Sequence, residues 1–164
     1  MSKRKTILQV EDEEHDVMFL QYALERAQVR NPLAVVRDGR QAIAYLKGEG
    51  KFGDRQAYPL PGLVLLDLRL PRLPGLEVLR WMREQPDFAK LPVLVLSSSD
   101  QDQDVDAAYR LGANGYIVKP SSPAELSEIM RRIRKYWLEM DRPPAGCAEW
   151  NSILVQQQTR ASMG

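Results

Sequence analysis

Three observations in the sequence predict an α/β domain built on a five-stranded parallel sheet with helices on both faces. Five short apolar or β-branched runs alternate along the chain with stretches of helical apolar spacing. Two of the runs, Gly62-Leu63-Val64-Leu65-Leu66 and Pro92-Val93-Leu94-Val95-Leu96, are apolar without alternation, as strands buried on both faces must be. The chain has 164 residues and 44% hydrophobic content, enough for one well-filled domain without disulfides or structural metal.

Lys5-Thr6-Ile7-Leu8-Gln9-Val10 reads as the first strand, and Val17, Leu20, Leu24 and Ala27 take up helical spacing behind it. Leu33-Ala34-Val35-Val36 is the second strand, Asp38-Gly39 its turn, and Ala42, Ile43 and Leu46 mark a short helix. Between the two central strands Leu76, Leu79 and Met82 give the third helix. Val105, Ala108 and Leu111 give the fourth, stopped by Gly112, and Tyr116-Ile117-Val118 is the last strand. The fifth helix is the best specified: Ser122 and Glu125 have capping-box spacing, Pro123 takes the first helical position, and Leu126, Ile129, Met130, Ile133 and Trp137 form the apolar stripe. Right-handed crossovers join such units. A flavodoxin-like (βα)5 three-layer sandwich of strand order 2-1-3-4-5 is one common solution, with its site at the carboxyl ends of strands one and three.

Residues 1–140 form this domain. Residues 141–164 are a C-terminal extension that opens with Pro143-Pro144-Ala145-Gly146 and is too short for a separate DNA-binding domain. Its apolar cluster Trp150, Ile153, Leu154 and Val155 is expected to pack on a second protomer and form a homodimer.

A net charge of +1, from 23 basic and 22 acidic side chains, provides no general field for binding a phosphate backbone, so nucleic acid is not the expected partner. The basic cluster Arg131, Arg132, Arg134 and Lys135 shares its helix with Glu125, Glu128 and Glu139 and reads as a solvated or dimer-forming face. The single cysteine, Cys147, excludes an internal disulfide and a thiolate zinc site, which fits a reducing cytoplasm. The apolar run behind the basic N-terminus, Ile7 to Val10, is too short for a signal peptide or a membrane span. The only histidine, His15, rules out a multi-histidine metal centre and argues against a phosphohistidine donor.

The carboxyl ends of the strands carry Glu11 and Asp12, then Asp67, Ser97 and Lys119. Singly each has an ordinary explanation as a helix-start acid, a loop cap or a surface charge. Gathered on one rim, the three carboxylates would repel one another strongly unless a cation stood between them. Oxygen donors alone suit Mg²⁺, with Mn²⁺ as the alternative, rather than zinc.

Four motifs in order, Val10-Glu11-Asp12, Leu65-Leu66-Asp67-Leu68-Arg69-Leu70-Pro71 with Gly75, Val95-Leu96-Ser97-Ser98, and Ala113-Asn114-Gly115-Tyr116-Ile117-Val118-Lys119-Pro120, closely resemble the receiver domains of two-component response regulators. The resemblance spans residues 5–139. Within the family the chain looks most like stand-alone receivers that partner bacterial phytochrome histidine kinases, from the long loop Gly48–Pro61, the Leu-Ser-Ser-Ser run and the lack of an output domain. The resemblance implies that Asp67 accepts a phosphoryl group from a kinase phosphohistidine. It implies that Asp12, Asp67 and the Arg69 backbone carbonyl ligate Mg²⁺, with Glu11 holding a metal-bound water. Lys119 and Ser97 would each bind a phosphoryl oxygen. Tyr116 matches the family's switch aromatic, expected to turn inward as Ser97 moves toward the phosphate; its plainer reading is a half-buried strand tyrosine. The Lys119-Pro120 bond is expected to be cis. Glu11 stands where aspartate is frequent and Ser97 where threonine is frequent, and both keep the oxygen chemistry. Arg69 is expected to alter the lifetime of the acyl phosphate. In receivers the faces of the fourth and fifth helices commonly carry the change between states, which makes them a second candidate for self-association.

Two decoys fall on context. Gly48-Glu49-Gly50-Lys51-Phe52-Gly53 fits G-x-G-x-x-G but follows a helix and leads into a Pro-bearing loop, contrary to a dinucleotide fold. A haloacid-dehalogenase-like phosphatase would need a second aspartate where Arg69 stands. Two function classes remain: a phosphoacceptor with self-catalysed transfer and autodephosphorylation, or a phosphate-independent interaction module of the same fold. The intact set Glu11, Asp12, Asp67, Ser97 and Lys119 favours the first.

Overall fold

A computed structural model describes residues 4–139. The elements are β1 (Thr6–Val10), α1 (Glu14–Arg26), β2 (Leu33–Val36), α2 (Gly39–Lys47), β3 (Pro61–Leu66), α3 (Gly75–Glu84), β4 (Val93–Ser97), α4 (Asp102–Arg110), β5 (Gly115–Val118) and α5 (Pro123–Ile133). All strand pairs are parallel and the order is β2-β1-β3-β4-β5, the order expected from the sequence. The C-terminal extension, and with it the expected tail-mediated dimer, lies outside the described residues.

The alternation of strand side chains divides the core in two. Ile7, Leu63, Leu65, Leu94, Leu96 and Ile117 pack beneath α1 and α5. Leu8, Val10, Val64, Leu66, Val93 and Val95 pack on the opposite face with α2, α3 and α4. Both faces of β3 and β4 are therefore packed with apolar side chains, which is why their runs do not alternate. No helix among the described residues is long and apolar enough to cross a membrane.

Local chemistry sets the ends of the elements. The Asp38 carboxylate accepts the Gln41 backbone N–H at 2.8 Å at the start of α2. Ser122 accepts the Glu125 N–H at 3.4 Å at the start of α5, with Pro123 in the first turn as the spacing predicts. Gly112, at φ +100°, stops α4. The glycine run from Gly48 to Gly53 caps α2 and forms a single 3-10 turn, consistent with its dismissal as a nucleotide loop. That loop is packed rather than loose: Tyr45, Phe52 and Tyr58 form an aromatic cluster, and the Arg55 guanidinium donates to the carbonyls of Tyr45 and Leu46 at 2.8 Å each. Two other segments depart from the expected pattern. Helix α1 starts at Glu14, a turn ahead of its first apolar position. Helix α5 runs into a wider π-helical turn over Arg134–Leu138, and the extra residue brings Tyr136, Trp137 and Leu138 all into the core.

At the amino ends of β4 and β5, the Arg83 guanidinium gathers the carbonyls of Phe88, Leu91 and Gly112 and the side-chain oxygen of Asn114, at 2.8 to 3.1 Å. Of the basic cluster on α5, Arg131 pairs with Glu128, while Arg134 donates to the Ala27 carbonyl at 2.7 Å.

At the carboxyl end of β3, α3 starts so close that a Cβ on Gly75 would lie 2.2 Å from the Asp67 carbonyl oxygen. The Gly75 N–H also donates to the Leu68 carbonyl at 2.9 Å. Gly75→Ala is therefore expected to lower the unfolding free energy by about 1–3 kcal/mol, as overpacking does. Urea denaturation checks this; an unchanged midpoint would mean that α3 backs away from β3 at no cost.

Candidate functional site

The parallel ladder continues past the strand ends and delivers the chemistry. Val10 is in register with Leu66, and the Asp67 N–H donates to the Val10 carbonyl at 3.1 Å, so Glu11 and Asp67 emerge side by side. Ser97 pairs with Val118, and the Lys119 N–H donates to the Ser97 carbonyl at 2.8 Å, which sets Lys119 on the same rim. Carboxylate oxygens of Glu11, Asp12 and Asp67 all lie within 4.8 Å of one another. Glu11 and Asp67 are buried, and Asp12 stands toward solvent.

The Lys119 ammonium lies among the acids. It donates to Glu11 Oε1 at 2.6 Å, Asp16 Oδ2 at 2.9 Å and Asp67 Oδ2 at 3.0 Å. The cation that the sequence demands between repelling carboxylates is thus in part a side chain. Asp16, in the first turn of α1, is a site residue that sequence reasoning missed, because an acid at a helix start is already explained by the helix dipole. The oxygen cluster that includes Asp12 remains a fit for a hard divalent ion: three carboxylates with no nitrogen or sulfur donor, close enough for ligation at about 2.1 Å after small side-chain adjustments. The Arg69 N–H donates to Asp67 Oδ1 at 3.2 Å, and its side chain is exposed.

The fourth-strand motif extends into a small polar web. Ser97 is fully buried and its Oγ accepts the Ser99 N–H at 3.3 Å. Ser99 donates its hydroxyl to Asp104 of α4 and its carbonyl accepts the Tyr116 hydroxyl at 2.8 Å. Tyr116 is therefore turned inward and buried rather than half-buried, and burial pushes its phenol up so that it stays a proton donor. Ser99 stands out in the sequence only as the end of the Leu-Ser-Ser-Ser run, and Asp104 carries no spacing signal that would have singled it out. The expected cis Lys119-Pro120 bond is not found: every peptide bond among the described residues is trans, the isomer that X-Pro bonds favour by about 0.5–1 kcal/mol.

Beside Lys119 a recess of about 300 Å³ opens between α1, β1 and the start of α5, lined by Gln9, His15, Phe19, Leu20 and Leu126 among others.

Burial, reinforced by the nearby Asp67 carboxylate, holds the Glu11 carboxyl up at about 7, although its hydrogen bond from Lys119 acts to lower it. Burial alone would lower the Lys119 ammonium, but its bonds to Asp16 and Glu11 and the charge on Asp67 leave it raised. The folded chain thus keeps a proton on Glu11 that the unfolded chain releases near 4.5, so this group's contribution to stability declines as pH rises from about 4.5 to about 7. Carbon-13 NMR of the Glu11 carboxyl in metal-free protein is expected to show a midpoint near 7, displaced upward in Lys119→Met; a midpoint near 4.5 would contradict the electrostatic reading.

Comparison with known proteins agrees with this geometry. Residues 7–131 match the family model described as the response regulator receiver domain. Over 141 residues the chain is 37% identical to response regulator Rcp1 of Synechocystis, covering 86% of this chain and 94% of Rcp1. It also superposes on solved structures. The phosphorylated cyanobacterial phytochrome response regulator RcpA matches with a TM-score of 0.77 at 37% identity, over 87% of this chain and 99% of RcpA. RPA3017, from red light signalling of R. palustris, matches with a TM-score of 0.80 at 35% identity, over 86% and 99% of the two chains. With the strand order, the acid cluster and the lysine in the places the four motifs imply, the chain belongs to the family of response regulator receiver domains.

Proposed function

We propose that this chain accepts a phosphoryl group on Asp67 from a histidine kinase in a Mg²⁺-dependent relay and passes the signal on by protein contact. The observation that carries the reading is the setting of Asp67: a buried carboxylate with Glu11 and Asp12 oxygens within 4.8 Å and the Lys119 ammonium 3.0 Å away. An Asp67 oxygen attacks phosphorus, the P–N bond of the donor phosphohistidine breaks, and its electron pair leaves with the imidazole. Such transfer depends on positioning and charge neutralisation more than on covalent help. Asp12, Asp67 and the Arg69 carbonyl would hold the ion directly and Glu11 through water; when bound, the ion supplies charge stabilisation for the transferring group. A Mn²⁺-bound form of Rcp1, solved in a structure 37% identical to this chain, supports the choice of a hard divalent ion. Lys119 and the Ser97 hydroxyl would each hold a phosphoryl oxygen, and Tyr116, tied to the Ser99 carbonyl, would report the change as the switch residue.

The similarity to RcpA and RPA3017 supports a phytochrome-type kinase as the donor and a cytoplasmic setting. The apolar cluster Trp150, Ile153, Leu154 and Val155 supports a homodimer as the working unit, and the net charge of +1 supports partners other than DNA.

Acetyl phosphate with Mg²⁺ is expected to add one phosphoryl mass to wild type and none to Asp67→Asn, read by intact mass. In the same assay, chased without donor, Arg69→Ala is expected to change the lifetime of the modification. No gain in mass from acetyl phosphate or from a competent kinase, despite Mg²⁺ binding, would favour the phosphate-independent interaction module. Deletion of residues 145–164 is expected to yield a monomer in light scattering; a persistent dimer would move the interface to α4 and α5.

A further inference from the structure

We propose that Asp16 is a positioning residue for phosphoryl transfer, the anchor that keeps the Lys119 ammonium aimed at Asp67. The inference rests on the phosphoacceptor reading. A lysine ammonium has three donors, and here they go to Glu11, Asp16 and Asp67 at 2.6, 2.9 and 3.0 Å. When Asp67 becomes an acyl phosphate, the donor now spent on its oxygen passes to a phosphoryl oxygen while the other two stay engaged. Of the two remaining anchors, Glu11 belongs to the oxygen cluster suited to the metal and Asp16 does not. Asp16 is thus the one acidic contact of Lys119 with no second duty at the site. It is carried on the first turn of α1, a rigid helix whose inner face is buried, rather than on a loop.

The surroundings of Lys119 show why an anchor is needed. Its ammonium ends a flexible four-carbon stem, and the recess of about 300 Å³ beside it gives that stem room to swing away from Asp67. The Asp16 carboxylate, itself on the wall of that recess, holds the ammonium on the Asp67 side. At 35% side-chain exposure against 3% for Glu11 it is the solvent-facing arm of the pair of anchors, so its substitution should disturb position without opening the core.

The test is the initial rate of phosphorylation by acetyl phosphate at saturating Mg²⁺. Asp16→Asn should slow the reaction roughly tenfold, the scale of one lost charge-assisted hydrogen bond that is partly screened, with thermal midpoint unchanged. In a Lys119→Met background the same substitution should have no further effect, because Asp16 acts through Lys119. A merely structural role would instead give a comparable loss in both backgrounds, and that result overturns the proposal. So does an Asp16→Asn rate equal to or faster than wild type. Failure of wild type itself to be phosphorylated overturns the phosphoacceptor reading, and this inference with it; normal labelling of wild type beside normal labelling of Asp16→Asn overturns the inference alone.

Discussion

Among the described residues, the ammonium of Lys119 is the cation that the buried acids of the site share. Three carboxylates from the end of β1, the first turn of α1 and the end of β3 converge on it within 3.0 Å. Two are buried, where uncompensated like charges are most costly. β5 delivers a counter-charge to the rim where the sheet brings Glu11 and Asp67 side by side. Lys119 also stitches β5 to α1 across the sheet, so charge balance and packing are satisfied by one residue.

Much of this was legible in the sequence, for a physical reason. In a parallel sheet the residue following each apolar run must emerge at the carboxyl rim, so Glu11, Asp12, Asp67, Ser97 and Lys119 could be placed from the runs alone. The strand order followed from the alternation of strand and helix, with the family resemblance choosing among the solutions that alternation permits. Other features had no such signature. Asp16 was hidden by a sufficient local explanation, the helix dipole. Ser99 and Asp104 lie in and beyond an irregular loop, where backbone path is not encoded by periodicity. The π-helical turn over Arg134–Leu138 comes from one residue inserted between turns, which an apolar stripe of period 3.6 does not reveal. Arg83 has no signal in the sequence, because its use of three backbone carbonyls depends on loops brought together only by folding.

The site is also a product of close backbone approach. Gly75 lets α3 begin directly against the carbonyl of Asp67, and Gly112 ends α4 in time for Asn114 to bond the backbone N–H of Val93 at 2.9 Å and lead into β5. Ahead of Gly75, the β3–α3 connection includes Arg72 at φ +68°, a conformation that non-glycine residues adopt at some cost. The polar rim is thus fixed by backbone geometry on one side and by the Lys119 ion cluster on the other.

The Arg83 clamp gives the sheet a mechanical polarity. It fastens the loops that precede β4 and β5, and both strands then run about 4–5 residues to carry Ser97 and Lys119 at their far ends. A strand pinned at its start and bonded to neighbours along its length cannot slide as a unit. Beyond the strand tips, Ser99 joins the first turn of α4 to Tyr116. The two rims are thus held differently, the amino rim by a side-chain clamp on backbone carbonyls and the carboxyl rim by side-chain contacts that reach the start of α4.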